Sequence, residues 1–139
     1  MRRFSAVAFS VVLGALPLAG QADGLSIGEA EYMNSCAQCH GPAGKGDGVI
    51  SGYLNSKLPD LTQVQKNNGG VFPVSQIYAT IDGQGASGAH GSSDMPAWGL
   101  RYSRAAPRNL GFYYGPADEE AFIRSRILAL VEFISSIQE

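Results

Sequence analysis

The chain is 139 residues long, 45% hydrophobic and 16% charged, with ten Lys/Arg against twelve Asp/Glu. No basic stripe with interleaved aromatics is present, so nucleic acid is excluded as the expected partner. Beyond the N-terminus no stretch is long and apolar enough to cross a bilayer, and no stable membrane insertion is expected once the leader is removed.

Met1-Arg2-Arg3 is basic, Phe4 to Ala19 is apolar, and Gly20-Gln21-Ala22 supplies a small-x-small cleavage site. These are the three parts of a secretory signal, so residues 1–22 are expected to be removed on export. An apolar run of 16 residues containing Pro17 falls short of the roughly 20 a membrane span needs, an uncleaved anchor being the alternative. Residues 23–139 then make one domain, with eight basic and twelve acidic residues and a net charge of −4.

Ser26-x-x-Glu29 has the form of a capping box, and Ile27, Ala30 and Met33 repeat at helical spacing. A first helix is therefore predicted, running into Cys36-Ala37-Gln38-Cys39-His40. Five glycines between Gly41 and Gly52 predict an irregular wrapping loop. Ordered chain resumes at Pro59-Asp60-Leu61-Thr62, and Asn67-Asn68-Gly69-Gly70 is a turn. Val74 to Ile81 carries Ile77, Tyr78 and Ile81 on one side, a short helix stopped by Asp82-Gly83. A second glycine-rich loop, Gly83 to Gly91, leads to Asp94-Met95-Pro96-Ala97-Trp98. Ala117-Asp118-Glu119-Glu120 places acids where a helix N-terminus favours them. Ile123, Ile127, Leu130, Val131, Ile134 and Ile137 then predict a closing helix of about 20 residues. No strand pattern longer than a few residues occurs, so the fold class is all-α with long loops.

Two thiols three apart followed at once by an imidazole is the attachment pattern of c-type haem. On a helix, positions 36, 39 and 40 share a face. Both sulfurs can then reach the vinyl groups of one porphyrin, while His40 comes up beneath the iron. Cys36 and Cys39 are the only cysteines in the chain. Two other chemistries stay open here. A thiol–disulfide redox site normally comes with a βαβ pattern, and none is visible. A zinc site of Cys36, Cys39, His40 and His90 lacks the usual C-x2-C to H-x3-5-H spacing.

These residues resemble the class I, mitochondrial-type cytochromes c, particularly the small bacterial ones. The resemblance is carried by Cys36-Ala37-Gln38-Cys39-His40, by Gly28 and Tyr32 on the first helix, by Met95-Pro96-Ala97-Trp98 as the distal-ligand loop, and by Leu130 and Phe133 on the closing helix. It implies a small cytochrome c fold, with three to five helices and long loops wrapped around one covalent haem c. Cys36 and Cys39 would hold the porphyrin, and His40 and Met95 would ligate its iron. It further implies a proline carbonyl accepting the haem histidine's Nδ1–H, for which Pro59 is the candidate, with Leu61 facing the porphyrin.

Gly28, lacking Cβ, would let another helix approach closely, with an aromatic such as Phe133 across it; this gives a reason for the mid-helix glycine's cost of about 1 kcal/mol. Pro96 restricts Met95 to extended geometry, and Met/His ligation favours ferrous iron. Met33, one turn before Cys36, is expected to point into the core. His90, set among glycines, is the rival axial ligand. Trp98 either packs as an aromatic at the haem edge or donates Nε1–H to a propionate.

The segment from Gly99 to Pro116 departs from the compact members, which pass almost directly from the Met loop into the last helix. It carries Arg101, Arg104, Arg108 and then Phe112-Tyr113-Tyr114. It either shapes a recognition surface, where Arg and Tyr are favoured, or covers a core edge. The expected function is one-electron transfer in the periplasm, as a soluble carrier or the haem subunit of a redox complex. Dehydrogenases or oxidases are the expected redox partners, without substrate turnover by this chain. The alternative is a haem enzyme with an open distal site, which requires that Met95 does not ligate or is easily displaced.

Overall fold

The computed structural model describes residues 26–83 and 98–139. The expected signal peptide, His90 and Met95 lie outside the described residues. Among those residues the secondary structure is helical, with no strand. Helix α1 spans Ile27–Ser35, α2 Ala37–His40, α3 Val64–Asn67, α4 Val74–Asp82, α5 Trp98–Leu110 and α6 Pro116–Ser136. Because α2 and α3 are single turns, four longer helices carry the fold, in keeping with an all-α cytochrome c architecture.

Local chemistry sets the helix ends. Ser26 Oγ accepts the Glu29 N–H at 3.1 Å, the cap its sequence predicts for α1. At the end of α4, Gly83 adopts the left-handed conformation with φ 94. Pro116 opens α6, and Asp118 Oδ2 accepts the Gly115 N–H at 2.8 Å.

The core is organised about α6, whose Ile127, Leu130, Val131 and Ile134 are buried and on which α1, α4 and α5 all pack. Tyr32 from α1, Ile81 from α4, and Trp98 and Tyr102 from α5 complete the cluster. The tightest crossing is that of α1 on α6. A Cβ built on Gly28 would collide with the Ala129 carbonyl oxygen and lie 3.1 Å from Phe133 Cβ. One turn along, the Tyr32 and Phe133 rings pack with centroids 4.8 Å apart. Glu31 ties three helices together, accepting from Arg126 Nη1 of α6 at 2.8 Å and from the Tyr102 hydroxyl of α5 at 3.2 Å. Burial, helped by the Glu31 charge, holds that hydroxyl well above its ordinary range, so it stays a donor.

One expectation is corrected. Met33 does not enter the core but is 43% exposed. Tyr32 and Cys36, four apart, occupy the inner face, which turns Met33 about 100° away from it. The segment from Gly99 to Pro116 contains a helix that the sequence pattern does not predict. Its first part belongs to α5, which buries Trp98, Tyr102 and Ala106 at four-residue spacing despite the helix-breaking Pro107. Packing against α6 outweighs the local propensity.

Gly28→Ala is expected to destabilise the protein by about 1–3 kcal/mol. Forcing a methyl into a filled crossing costs more than the roughly 1 kcal/mol of helix propensity it gains. The guanidinium unfolding midpoint checks this, and an unchanged or raised midpoint would mean that the helices do not meet so closely.

Candidate functional site

The CxxCH stretch begins where α1 bends. Cys36 leaves the ideal helix at φ −112, ψ −36, while its N–H still donates to the Tyr32 carbonyl at 2.8 Å. Its own carbonyl accepts from Cys39 at 3.1 Å and from His40 at 2.9 Å, which makes α2 a continuation of α1. A single turn leaves its last carbonyls without helical partners. The wrapping loop supplies them. Gly46 N–H donates to the His40 carbonyl at 2.8 Å, Gly48 N–H to Cys39 at 3.0 Å, and Ile50 N–H to Gln38 at 3.1 Å. The loop lies so close that a Cβ on Gly48 would sit 2.5 Å from the Cys39 carbonyl. Beneath it the buried Tyr32 hydroxyl donates to the Gly41 carbonyl at 2.7 Å, and burial raises its pKa far above that of a free tyrosine.

His40, 7% exposed, and Cys36 line one cavity of about 330 Å³. This lies within the roughly 300–1,000 Å³ range of small-molecule and cofactor sites. Its walls include Pro59, Leu61, Ile77, Ile81 and Ile134. Cys39, half-buried, is not part of the cavity lining. Pro59 and Leu61 therefore line the same cavity as His40.

The wall carrying them is held by the C-terminus of the chain. Gln138 Nε2 donates to the Leu61 carbonyl at 2.7 Å, Gln138 Oε1 accepts the Gln65 N–H at 2.8 Å, and the Glu139 N–H donates to the Thr62 carbonyl at 2.9 Å. Asp60 caps the turn at residues 61–63, accepting from the Thr62 hydroxyl at 2.7 Å and from its N–H at 2.9 Å. These bonds hold the Asp60 carboxyl below its usual range. Sequence reasoning missed Gln138, because a polar residue past the last apolar position carries no periodic signal. It also missed Gln76 and Thr80, polar members of the cavity wall on α4.

The electrostatics separate the competing chemistries. Burial pushes the Cys36 thiol up to about 12, with Glu31 and Cys39 adding to the shift. A thiol–disulfide exchange site needs the opposite shift, toward thiolate, so the raised Cys36 thiol counts against the redox-thiol reading. Among the described residues no three His, Cys, Asp or Glu side chains converge as the ligands of one metal ion do. Spread along one turn, Cys36, Cys39 and His40 suit an extended planar group better than a point ion.

Helices α4 and α5 meet at Asp82 and Gly99. A Cβ on Gly99 would come 2.8 Å from the Asp82 carbonyl oxygen. The chain thus leaves α4 and re-enters α5 at one place, just past the cavity-lining Ile81. Trp98 is 4% exposed, and its Nε1–H has no acceptor among the described residues. A buried donor without a partner is costly, which fits an acceptor belonging to a bound group.

With this geometry in place, the comparison with known families is direct. The Cytochrome c family model matches residues 25–138, and the chain belongs to that family. The family binds haem c covalently and works by haem-based electron transfer. No curated protein and no solved structure gave a significant match. The residues present fit the group: a paired thiol and imidazole at the end of an anchored helix, a largely apolar cavity, and an unsatisfied buried indole donor.

Tyr32→Phe removes the hydroxyl that clamps Gly41 beside His40. A net loss of about 1 kcal/mol is expected, typical of one buried hydrogen bond left with an unpaired carbonyl. The guanidinium midpoint of the haem-loaded variant measures it, and an unchanged midpoint would remove Tyr32 from the support of this turn.

Proposed function

We propose that this protein is a periplasmic one-electron carrier, or the haem subunit of a redox complex, and turns over no substrate of its own. The observation that carries this reading is that Cys36 and His40, one turn apart, line the same mostly apolar cavity. Cys36 and Cys39 would hold one haem c through thioether bonds, and His40 and Met95 would ligate its iron. Iron held there supplies a reversible one-electron change at a potential raised by sulfur ligation. Ligation by both His40 and Met95 would leave no open position for substrate.

The other side chains position rather than react. Pro59 offers the carbonyl that would orient the His40 ring and set its tautomer. Trp98 would offer its Nε1–H to an anionic group of the bound cofactor. Tyr32 and the loop carbonyl bonds keep the CxxCH turn from moving, so little rearrangement accompanies a change of charge at the site. Met95 stands three residues before Trp98, whose backbone starts α5 beside the cavity-lining end of α4. That short tether supports Met95 over His90 as the second ligand.

Export of residues 23–139 after removal of residues 1–22 accounts for the basic, apolar and small-residue pattern of the leader. No helix among the described residues is long and apolar enough to cross a membrane. Redox proteins of the dehydrogenase or oxidase type are the expected donors and acceptors.

Met95→Ala is expected to abolish the absorption band near the red end that marks sulfur-ligated ferric haem, and to let carbon monoxide bind the ferrous form at neutral pH. His90→Ala should retain the band. Persistence of the band in Met95→Ala, or its loss in His90→Ala, would reassign the ligand.

A further inference from the structure

A second concavity lies on the other side of α1. It has a volume of about 610 Å³ and is walled by α5 and α6. Glu31 lines it, while the next residue, Tyr32, lines the cavity of His40. Of the eight basic residues that follow residue 22, four face this groove: Arg101, Arg104, Arg108 and Arg126. Among the described residues Glu31 is the only acid in its lining, and it is already bound to Arg126 at 2.8 Å. The groove thus concentrates positive charge on a chain whose net charge after residue 22 is −4.

The fold does not account for the charge that α5 brings to the groove. Arg101, Arg104 and Arg108 follow one another at spacings of three and four, and like charges at those spacings destabilise a helix. Arg101 also sits in the first turn of α5, at the positive end of the helix dipole. The inner face of α5 is Trp98, Tyr102 and Ala106, so none of the three arginines is needed for core packing. Among the described residues, the ion pairs are Lys45–Glu139 and Arg126–Glu31, and neither uses an arginine of α5. Arg101 lies over the Trp98 ring at 4.6 Å and is exposed.

We propose that this groove is the docking surface for the acidic face of a redox protein partner. The inference rests on the electron-transfer reading above and names the surface that the partner uses. Arg101 to Arg108 extend about 10 Å along the helix axis, farther than one small anion can bridge. The wall adds apolar area from Phe122 and from Leu100, which is 56% exposed. Past the end of α5 the chain presents Phe112 and Tyr113, both fully exposed. Arginine with aromatic residues is the composition favoured at protein interfaces, and segregated charge steers an oppositely charged partner. The groove shares α1 with the CxxCH turn, so a partner seated there lies against the helix that carries Cys36.

The test uses the haem-loaded protein and the acidic electron carrier flavodoxin, in its hydroquinone form, as the probe. The bimolecular rate of reduction should fall about tenfold as ionic strength is raised. In Arg104→Gln/Arg108→Gln the low-salt rate should be about tenfold lower and its salt dependence flatter. Lys57→Gln/Arg124→Gln, which removes the same charge outside the groove, should change it less than about twofold. A salt-independent wild-type rate, or an equal loss in the control variant, overturns the proposal. So does inhibition by millimolar inorganic phosphate as strong as that by a decaglutamate peptide, which would mark a small-anion site. Reduced lumiflavin, a small uncharged reductant, tests the electron-transfer reading by itself and should reduce all variants alike. If it reduces none, that reading fails, and amide NMR shifts on adding decaglutamate still decide the docking surface: they should map to residues 98–110, and shifts elsewhere overturn the assignment.

Discussion

The missing side chain at Gly28 is the constraint on which the rest depends. Without a Cβ there, α1 lies directly on the backbone of α6 at Ala129, and Tyr32 can stack on Phe133 one turn further on. That contact fixes the direction of α1, and α1 delivers Cys36 and His40. Tyr32 then does two things at once. Its ring closes the helix crossing, and its hydroxyl holds the Gly41 carbonyl immediately after His40. A packing detail eight residues upstream thereby sets the position of a chemically reactive turn.

Helix α6 serves the opposite wall by another means. Its buried stripe receives α4 and α5, and the residues past its end, Gln138 and Glu139, bind the backbone of Leu61, Thr62 and Gln65. One 21-residue helix therefore supports both sides of the cavity beside His40 and one side of the arginine-lined groove. The two concavities are adjacent without sharing lining residues, because Glu31 and Tyr32 project to different sides of α1. A cofactor and a partner can be accommodated on one small domain without competing for surface.

The parts legible in the sequence were those with local, repetitive chemistry. The CxxCH spacing, the apolar period of α6, the Ser26 cap and the Gly28–Phe133 pairing each depend on a few residues whose geometry is dictated by a helix. Helix α5 was not legible. Gly99 and Pro107 argue against a helix, three arginines dilute its apolar stripe, and only burial of Trp98, Tyr102 and Ala106 on α6 makes it form. Met33 was misplaced because its face was inferred from distance to Cys36, whereas packing by Tyr32 decides which side of α1 turns inward. The anchoring role of Gln138 depends on a contact 77 residues away in sequence, which no local pattern encodes. The roles of Met95 and His90 rest on spacing and ligand chemistry alone, since both fall outside the described residues.

The account stands on covalent attachment of haem at Cys36 and Cys39. Its most direct test is extraction of the protein, matured in a host with haem-attachment machinery, into acidified organic solvent, with thiol titration and intact mass of the residue. The account predicts that colour and added mass stay with the polypeptide and that no free thiol is found. Colour passing into the solvent, with two titratable thiols left on the chain, would contradict it.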